Sequence, residues 1–200
     1  MKLEIPFFKQ TTRLNCGPSA LRMILAYFGK DPGMEILEEK TGIKKGKGTY
    51  TIQMATAATS LGHRTDFYSK HVLSNEENLK LDFYAKYGDI AENSKKLVED
   101  AKMAGVNIQE KILSLEELLG FVTKDSIPIV LIDWNIVTSR MEKGYQGHFS
   151  PIVGYDSQNV YVHNHGLNNP QEFMPIERAV FDKARKVAGT DEDIVIIYKK

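Results

Sequence analysis

Residues 10–20 read Gln-Thr-Thr-Arg-Leu-Asn-Cys-Gly-Pro-Ser-Ala and hold the only cysteine of the 200-residue chain. They open directly into an apolar helix. Asn15 is an expected N-cap, Cys16 takes the first helical position, and Pro18 falls in the first turn, where a missing N–H costs nothing. Ala20, Leu21, Ile24, Leu25 and Phe28 then recur at helical spacing, with Met23 and Tyr27 beside them and Arg22 as the only charge before Gly29. Such a helix is apolar over most of its circumference and must be buried. The rest of the chain therefore has to supply a surface that covers it. Gly29 is a stop signal and residues 31–33, Asp-Pro-Gly, are a turn.

The remaining sequence narrows what that surface is. Lys and Arg number 26, Asp and Glu also 26, so no overall positive charge is available for nucleic acid. Lys44, Lys45 and Lys47 form a local cluster in a Gly-containing loop, read as a solvated loop. A single cysteine permits neither an intramolecular disulfide nor a thiolate zinc cluster. The N-terminus lacks the apolar run of a signal peptide, and no segment approaches the roughly 18 uninterrupted apolar residues of a membrane helix. The expectation is a protein of the reducing cytoplasm, 1–200 as one domain.

Residues 3–8 are apolar around Pro6 and read as an edge strand or extended lead-in. Short helices are expected over 34–41 and 51–61, and a strand over 64–68. From 70 to 111 the composition shifts to Lys, Glu, Asp and Asn; two amphipathic helices near 76–87 and 90–104 suggest a helical insertion on the side of the core. Ser114-Leu-Glu-Glu117 is a capping box opening a helix to about residue 123. Residues 127–133 are nearly continuously apolar, a central strand. Residues 149–155 and 160–162 form a hairpin around Asp156-Ser-Gln-Asn159. A helix is expected over 175–187 with Pro at its start, and a last strand over 193–198.

Cys16 at a helix start meets about half a unit of positive charge and free N–H groups, which favour a thiolate and can hold an oxyanion formed by its attack. Gln10, six residues earlier, can add a side-chain amide to that hole. A lone cysteine can equally be a small buried apolar residue. Of the five histidines, His71 lies in a polar connection and His63 at a helix end. His148 opens a hairpin strand, and His163 and His165 flank Asn164 at the end of the next. An odd-length turn puts His148 and Asn164 on one face; an even one puts His148 with His163 and His165. The alternation Val160, Val162, Asn164 favours an inward Asn164, with His163 and His165 turned away beside Tyr161. An asparagine carbonyl facing His148 would fix the ring's tautomer.

Ile5-Pro-Phe-Phe-Lys-Gln10 and Asn15-Cys-Gly-Pro-Ser-Ala20, followed by His148-Phe-Ser-Pro-Ile-Val-Gly-Tyr-Asp156 and Val160-Tyr-Val-His-Asn164, resemble the bacteriocin-processing, double-glycine leader cysteine peptidases. The sixteen-residue step from His148 to Asn164 is similar to that family's spacing. The resemblance covers most of the chain outside 70–111. It implies an α+β, papain-like fold, with an N-terminal helical part carrying the cysteine helix packed on an antiparallel sheet carrying His and Asn. It implies Cys16 as nucleophile, Gln10 as oxyanion donor, His148 as base and acid, and Asn164 as its orienter, with no cofactor or metal. Two positions depart from the pattern. Asn164 stands where those peptidases usually carry Asp followed by Pro, and His165 follows it here; Asn15 replaces the common Asp.

Without an ATP-binding or membrane segment, the expected protein is a free-standing peptidase or amidase acting on a peptide or amide substrate through a Cys thioester. Two alternatives use the same site: an acyltransferase, or a binding module that keeps the fold without turnover. A zinc site on His163 and His165 is a third.

Overall fold

The computed structural model describes residues 1–43, 46–73, 75–88 and 94–200. The Lys44–Lys45 part of the basic cluster and the start of the helix expected at 90 lie outside them. The apolar helix forms as α1 (Cys16–Tyr27) and is followed by α2 (Met34–Lys40) and α3 (Thr51–Ser60). Gly29, at φ 99°, turns the chain after α1, a conformation that a side chain would resist. Then come β1 (Thr65–Ser69), α4 (Glu76–Leu79), α5 (Asp82–Tyr87), α6 (Ser94–Ala104), β2 (Asn107–Glu110), α7 (Leu115–Gly120) and β3 (Ser126–Asp133). The chain closes with α8 (Trp134–Val137), β4 (Gly147–Tyr155), β5 (Asn159–Asn164), β6 (Gln171–Glu177), α9 (Arg178–Ala184) and β7 (Ile194–Tyr198).

Among the described residues seven strands form a sheet in the order β2-β1-β7-β3-β4-β5-β6. Only β1 and β2 run parallel; the other pairs are antiparallel. Strand β3 is central and buried throughout, as its uninterrupted apolar run requires. Helix α1 packs on β4, α3 on β1 and β7, and α6 on α3. Eight of the twelve α1 residues are buried, including Leu21, Ile24 and Leu25. This is the α+β, papain-like arrangement that the sequence implies.

Three elements differ from the sequence reading. Residues 171–177 form strand β6, so the last helix begins at Arg178 rather than at Pro175. Pro175 is tolerated because β6 is the edge of the sheet. The 76–87 helix is two short helices, α4 and α5, broken around Lys80 and Leu81. The 70–111 segment also contributes an edge strand, β2, whose four residues Asn-Ile-Gln-Glu carry no strand signature.

The N-terminal lead-in docks along β4 beyond the point where β3 stops pairing. Tyr155 N–H donates to Met1 O (2.8 Å) and Leu3 N–H to Val153 O (2.8 Å). Gly154 makes the approach possible: a Cβ there would lie 2.4 Å from Met1 O and 2.8 Å from Lys2 Cα. Gly154→Ala is expected to unseat residues 1–3 and destabilise the fold by about 1–3 kcal/mol, read as a lower urea midpoint at unchanged slope.

Candidate active site

A cleft of about 400 Å³ runs between the α1 start, the β4–β5 hairpin and α5. Gln10, Cys16, His148 and Asn164 all line it. The hairpin achieves this by an indirect route. Tyr155 pairs with Val160, so the loop has four residues, the even case that would put His148 and Asn164 on opposite faces. A bulge between Ile152 and Gly154 then shifts the register, and Ile152 pairs with Val162. Paired numbers sum to an even value again, and His148 and Asn164 return to one face.

Cys16 starts α1, yet Asn15 does not cap the helix with its side chain. Asn15 is fully buried and turns back instead. Its Oδ1 accepts from Thr11 N–H (3.2 Å) and Thr12 N–H (3.1 Å), while Nδ2 donates to Thr11 Oγ1 and to Glu38 Oε1, both at 2.8 Å. The side chain therefore shapes the loop from Thr11 to Asn15 and leaves the first-turn amides unclaimed. The nearby backbone amides of Phe149, Gly17 and Cys16 favour the thiolate, but burial outweighs them and pushes the Cys16 pKa up. The helix start thus supplies donors without a preformed thiolate.

Gln10 is buried beside it. Its Nε2 donates to Thr12 O (2.8 Å), its backbone N–H donates to His165 O (2.9 Å), and its Oε1 is buried without a partner. His148 sits with its ring centroid 4.8 Å from that of Trp134 and 4.9 Å from that of His165. Burial, then the neighbouring His165, holds its pKa well below the usual imidazole range. Its Nε2 is buried and has no hydrogen-bond partner.

The carbonyl expected to orient that ring is used elsewhere. Asn164 Oδ1 accepts from Gly166 N–H (3.3 Å) and its Nδ2 donates to Asn169 O (2.7 Å), so this side chain holds the turn after β5. His163 and His165 do not turn away to the surface; both are fully buried. His163 Nε2 lies 2.9 Å from Ile5 O and its Nδ1 accepts from Phe173 N–H. His165 lies past the last residue of β5, where strand alternation no longer governs direction, and its ring packs against His148. His165 Nδ1 lies 3.0 Å from His163 O and Nε2 2.9 Å from Cys16 O, so the nitrogens of both rings are engaged with backbone groups, and among the described residues no three His, Cys, Asp or Glu side chains could together hold a metal ion.

Sequence reasoning missed several lining residues. Asp133 accepts from Asn135 N–H and Gln146 N–H, each at 3.0 Å, and so seats Trp134 beside His148. Phe83, Tyr84 and Tyr87 of α5 bring the 70–111 segment to the cleft wall. Tyr84 donates its hydroxyl to Gly189 O, and Asn78 donates to Asp191 Oδ2 (2.6 Å), anchoring that wall. The aromatic spacing in α5 was the available signal. Asp193 also lines the cleft, and burial pushes its carboxyl up to about 7 against the pull of the Ser69 and Thr51 hydroxyls.

A sequence-family profile described as guanylylate cyclase matches residues 5–197. The chain belongs to the guanylylate cyclase family. Its fold, in turn, is that of the double-glycine peptidase domains. A double-glycine motif protease from an AMS/PCAT transporter, solved with its leader peptide, has a TM-score of 0.54 at 18% identity, over 99% of this chain and 93% of that one. The peptidase domain of Streptococcus ComA, a bifunctional ABC transporter of a quorum-sensing pathway, gives 0.54 at 14% identity, over 98% and 100%. A putative C39-like peptidase from Bacillus anthracis gives 0.55 at 15% identity, over 100% and 98%. In this family member no helix among the described residues is long and apolar enough to cross a membrane.

Two outcomes follow for the site. Asn15→Asp would set a carboxylate against Glu38 and remove the amide donor between them; a loss of about 1–3 kcal/mol is expected in chemical denaturation, largest above pH 6. Asp193, raised from 3.8 to about 7, keeps a proton in the folded state that the unfolded chain has released. Its contribution to stability therefore falls as pH rises from about 4 to about 7 and is level above that. Asp193→Asn should flatten the Tm–pH curve over that window, worth about 1–3 kcal/mol at pH 8 relative to pH 4.

Proposed function

We propose that this chain is a papain-like cysteine hydrolase that cleaves a peptide or amide bond. The observation that carries the reading is the convergence on one cleft of Cys16, His148 and Gln10, with the backbone amides near Cys16 favouring its thiolate. In the first step His148 takes the Cys16 proton as the sulfur attacks the substrate carbonyl. The S–H bond breaks, an S–C bond forms, and the oxyanion rests on the Cys16 N–H and the second Nε2 hydrogen of Gln10. His148 then returns the proton to the departing amine, the C–N bond breaks, and a thioester remains. Water, activated by His148, releases the acid and restores the thiol. Because Cys16 and His148 are both uncharged at rest, proton transfer accompanies attack instead of preceding it.

A peptide substrate accords with the fold neighbour solved with a leader peptide and with the aromatic wall of the cleft. Transfer to an amine in place of water would use the same thioester. The family's description suggests a different activity, cyclisation of GTP. Such phosphoryl chemistry depends on cation stabilisation of the phosphates, usually by divalent metals. Among the described residues, Asp193 is the only carboxylate and Arg13 the only Lys or Arg lining the cleft. That donor set does not fit a metal–triphosphate complex.

The test is labelling of Cys16 by a peptide acyloxymethyl ketone, with turnover of a fluorogenic peptide library beside it. Selective labelling, and loss of turnover by at least 10³-fold in Cys16→Ala with unchanged Tm, are expected. Cys16 reacting no faster than free cysteine, with no turnover in the library, would overturn the reading. Formation of cyclic GMP from GTP with Mg²⁺ or Mn²⁺, retained in Cys16→Ala, would replace it.

A further inference from the structure

Strand alternation predicts that His165 turns away from the cleft, and the acyl chemistry of Cys16 and His148 does not require it. Its surroundings are unlike those of an idle core histidine. Nε2 lies 2.9 Å from Cys16 O, and Nδ1 lies 3.0 Å from His163 O. Both ring nitrogens therefore face carbonyl oxygens. A neutral imidazole has one N–H to donate, so its other nitrogen would turn a lone pair towards an acceptor. Only the imidazolium, with two N–H groups, satisfies both contacts. His148, 4.9 Å away between centroids, is the opposite case: its Nε2 is buried with no acceptor, so charging it would create an unpaired buried N–H.

We propose that His165 is a positioning residue of this site, which takes up the first proton of the His148–His165 pair, leaving His148 neutral at rest as the base and setting a positive charge near Cys16 where negative charge develops on the sulfur. The titratable groups around it are Cys16 from α1, His148 from β4 and His163 from β5; the Gln10 loop adds a neutral amide, bound through its backbone to His165 O. His163 is held neutral by its own contacts, donating to Ile5 O and accepting from Phe173 N–H. The pair then holds one proton, since two adjacent buried imidazolium ions repel. Burial lowers the affinity of both rings for a proton. In both rings a neighbouring imidazole adds to it, His163 for His165 and His165 for His148, and the net direction is downward in each; in His165 alone two carbonyl acceptors oppose it. The order of protonation follows from that difference.

The consequence is chemical. At the end of β5 Asn164 brings no charge, and His165 follows it. A cation bonded to the carbonyl of the nucleophile's own residue offsets the burial that opposes the thiolate. It also braces three candidate residues at once: Cys16 through Nε2, Gln10 through its carbonyl, and His148 by ring contact.

This proposal deepens the cysteine-hydrolase reading and rests on it for its catalytic meaning, but its test needs no substrate. In ¹⁵N-histidine-labelled protein, long-range ¹H–¹⁵N spectra should show imidazolium shifts at both nitrogens of His165 at pH values where His148 is still neutral. The rate of Cys16 alkylation by iodoacetamide should show a shoulder below pH 8. In His165→Gln, whose amide can still donate to Cys16 O, the shoulder should vanish and the rate at the pH of that shoulder should fall about tenfold, one unit in apparent thiol pKa. His148 protonating before His165, or a superimposable alkylation profile in a folded His165→Gln, would overturn the proposal; the spectra decide it on the natural protein even if the variant does not fold. A profile as expected, with no turnover of any acyl substrate, would leave His165 assigned and sink the hydrolase reading instead.

Discussion

The site depends on how closely the first turn of α1 meets its neighbours. At Gly17 a Cβ would stand 2.6 Å from Thr49 Cγ2, 2.8 Å from Met54 Sδ and 3.2 Å from Phe149 Cδ2. No side chain fits there without displacing α3 or β4. The absence of one lets the helix start press against the strand that carries His148. From that contact follow the Phe149 amide near Cys16, the His165 ring at the Cys16 carbonyl, and the His165 carbonyl at the Gln10 amide. Four separate stretches of chain are thus bonded around one residue.

The interior of that arrangement is short of charge. Among the described residues neither Cys16 nor His148 has a carboxylate partner, and burial disfavours the ionised form of both. Carboxylates that do approach are engaged elsewhere: Glu38 with the Asn15 amide, Asp133 with the backbone beneath Trp134. The two departures from the peptidase pattern make physical sense in this light. Asn15 has to donate to Glu38, which an aspartate could not do. His165 can carry a positive charge where proline could not. Fold alone does not establish chemistry. The family description and the names of the fold neighbours differ, as a fold shared at such low identity allows.

The helical half was the most legible in the sequence. Helices α1, α2, α3 and α7 lie close to their expected positions, because burial of an apolar stripe and a reciprocal capping box at Ser114 and Glu117 are local signals. Strand β3 was evident from its apolar run and β7 from its β-branched residues. Strands β2 and β6 were not: each lies at an edge, where one ladder suffices and side chains can remain polar. The hairpin parity was ambiguous, because a four-residue loop and a bulge cancel and neither leaves a mark in the alternation of residues.

By itself, therefore, the sequence determined a buried helix with a thiol at its first turn, a central strand, and a hairpin carrying one histidine at its entry and two near its end. These are consequences of periodicity and backbone chemistry, which act over a few residues. Tertiary structure alone decided which groups meet: Asn15 with Glu38, Asn164 with its own turn, His165 with Cys16 and His148, and the aromatic side of α5 with the cleft. Those pairings span up to 149 residues of sequence. They are set by where packing at Gly17 and the bulge at Val153 bring the chain, which no local pattern encodes.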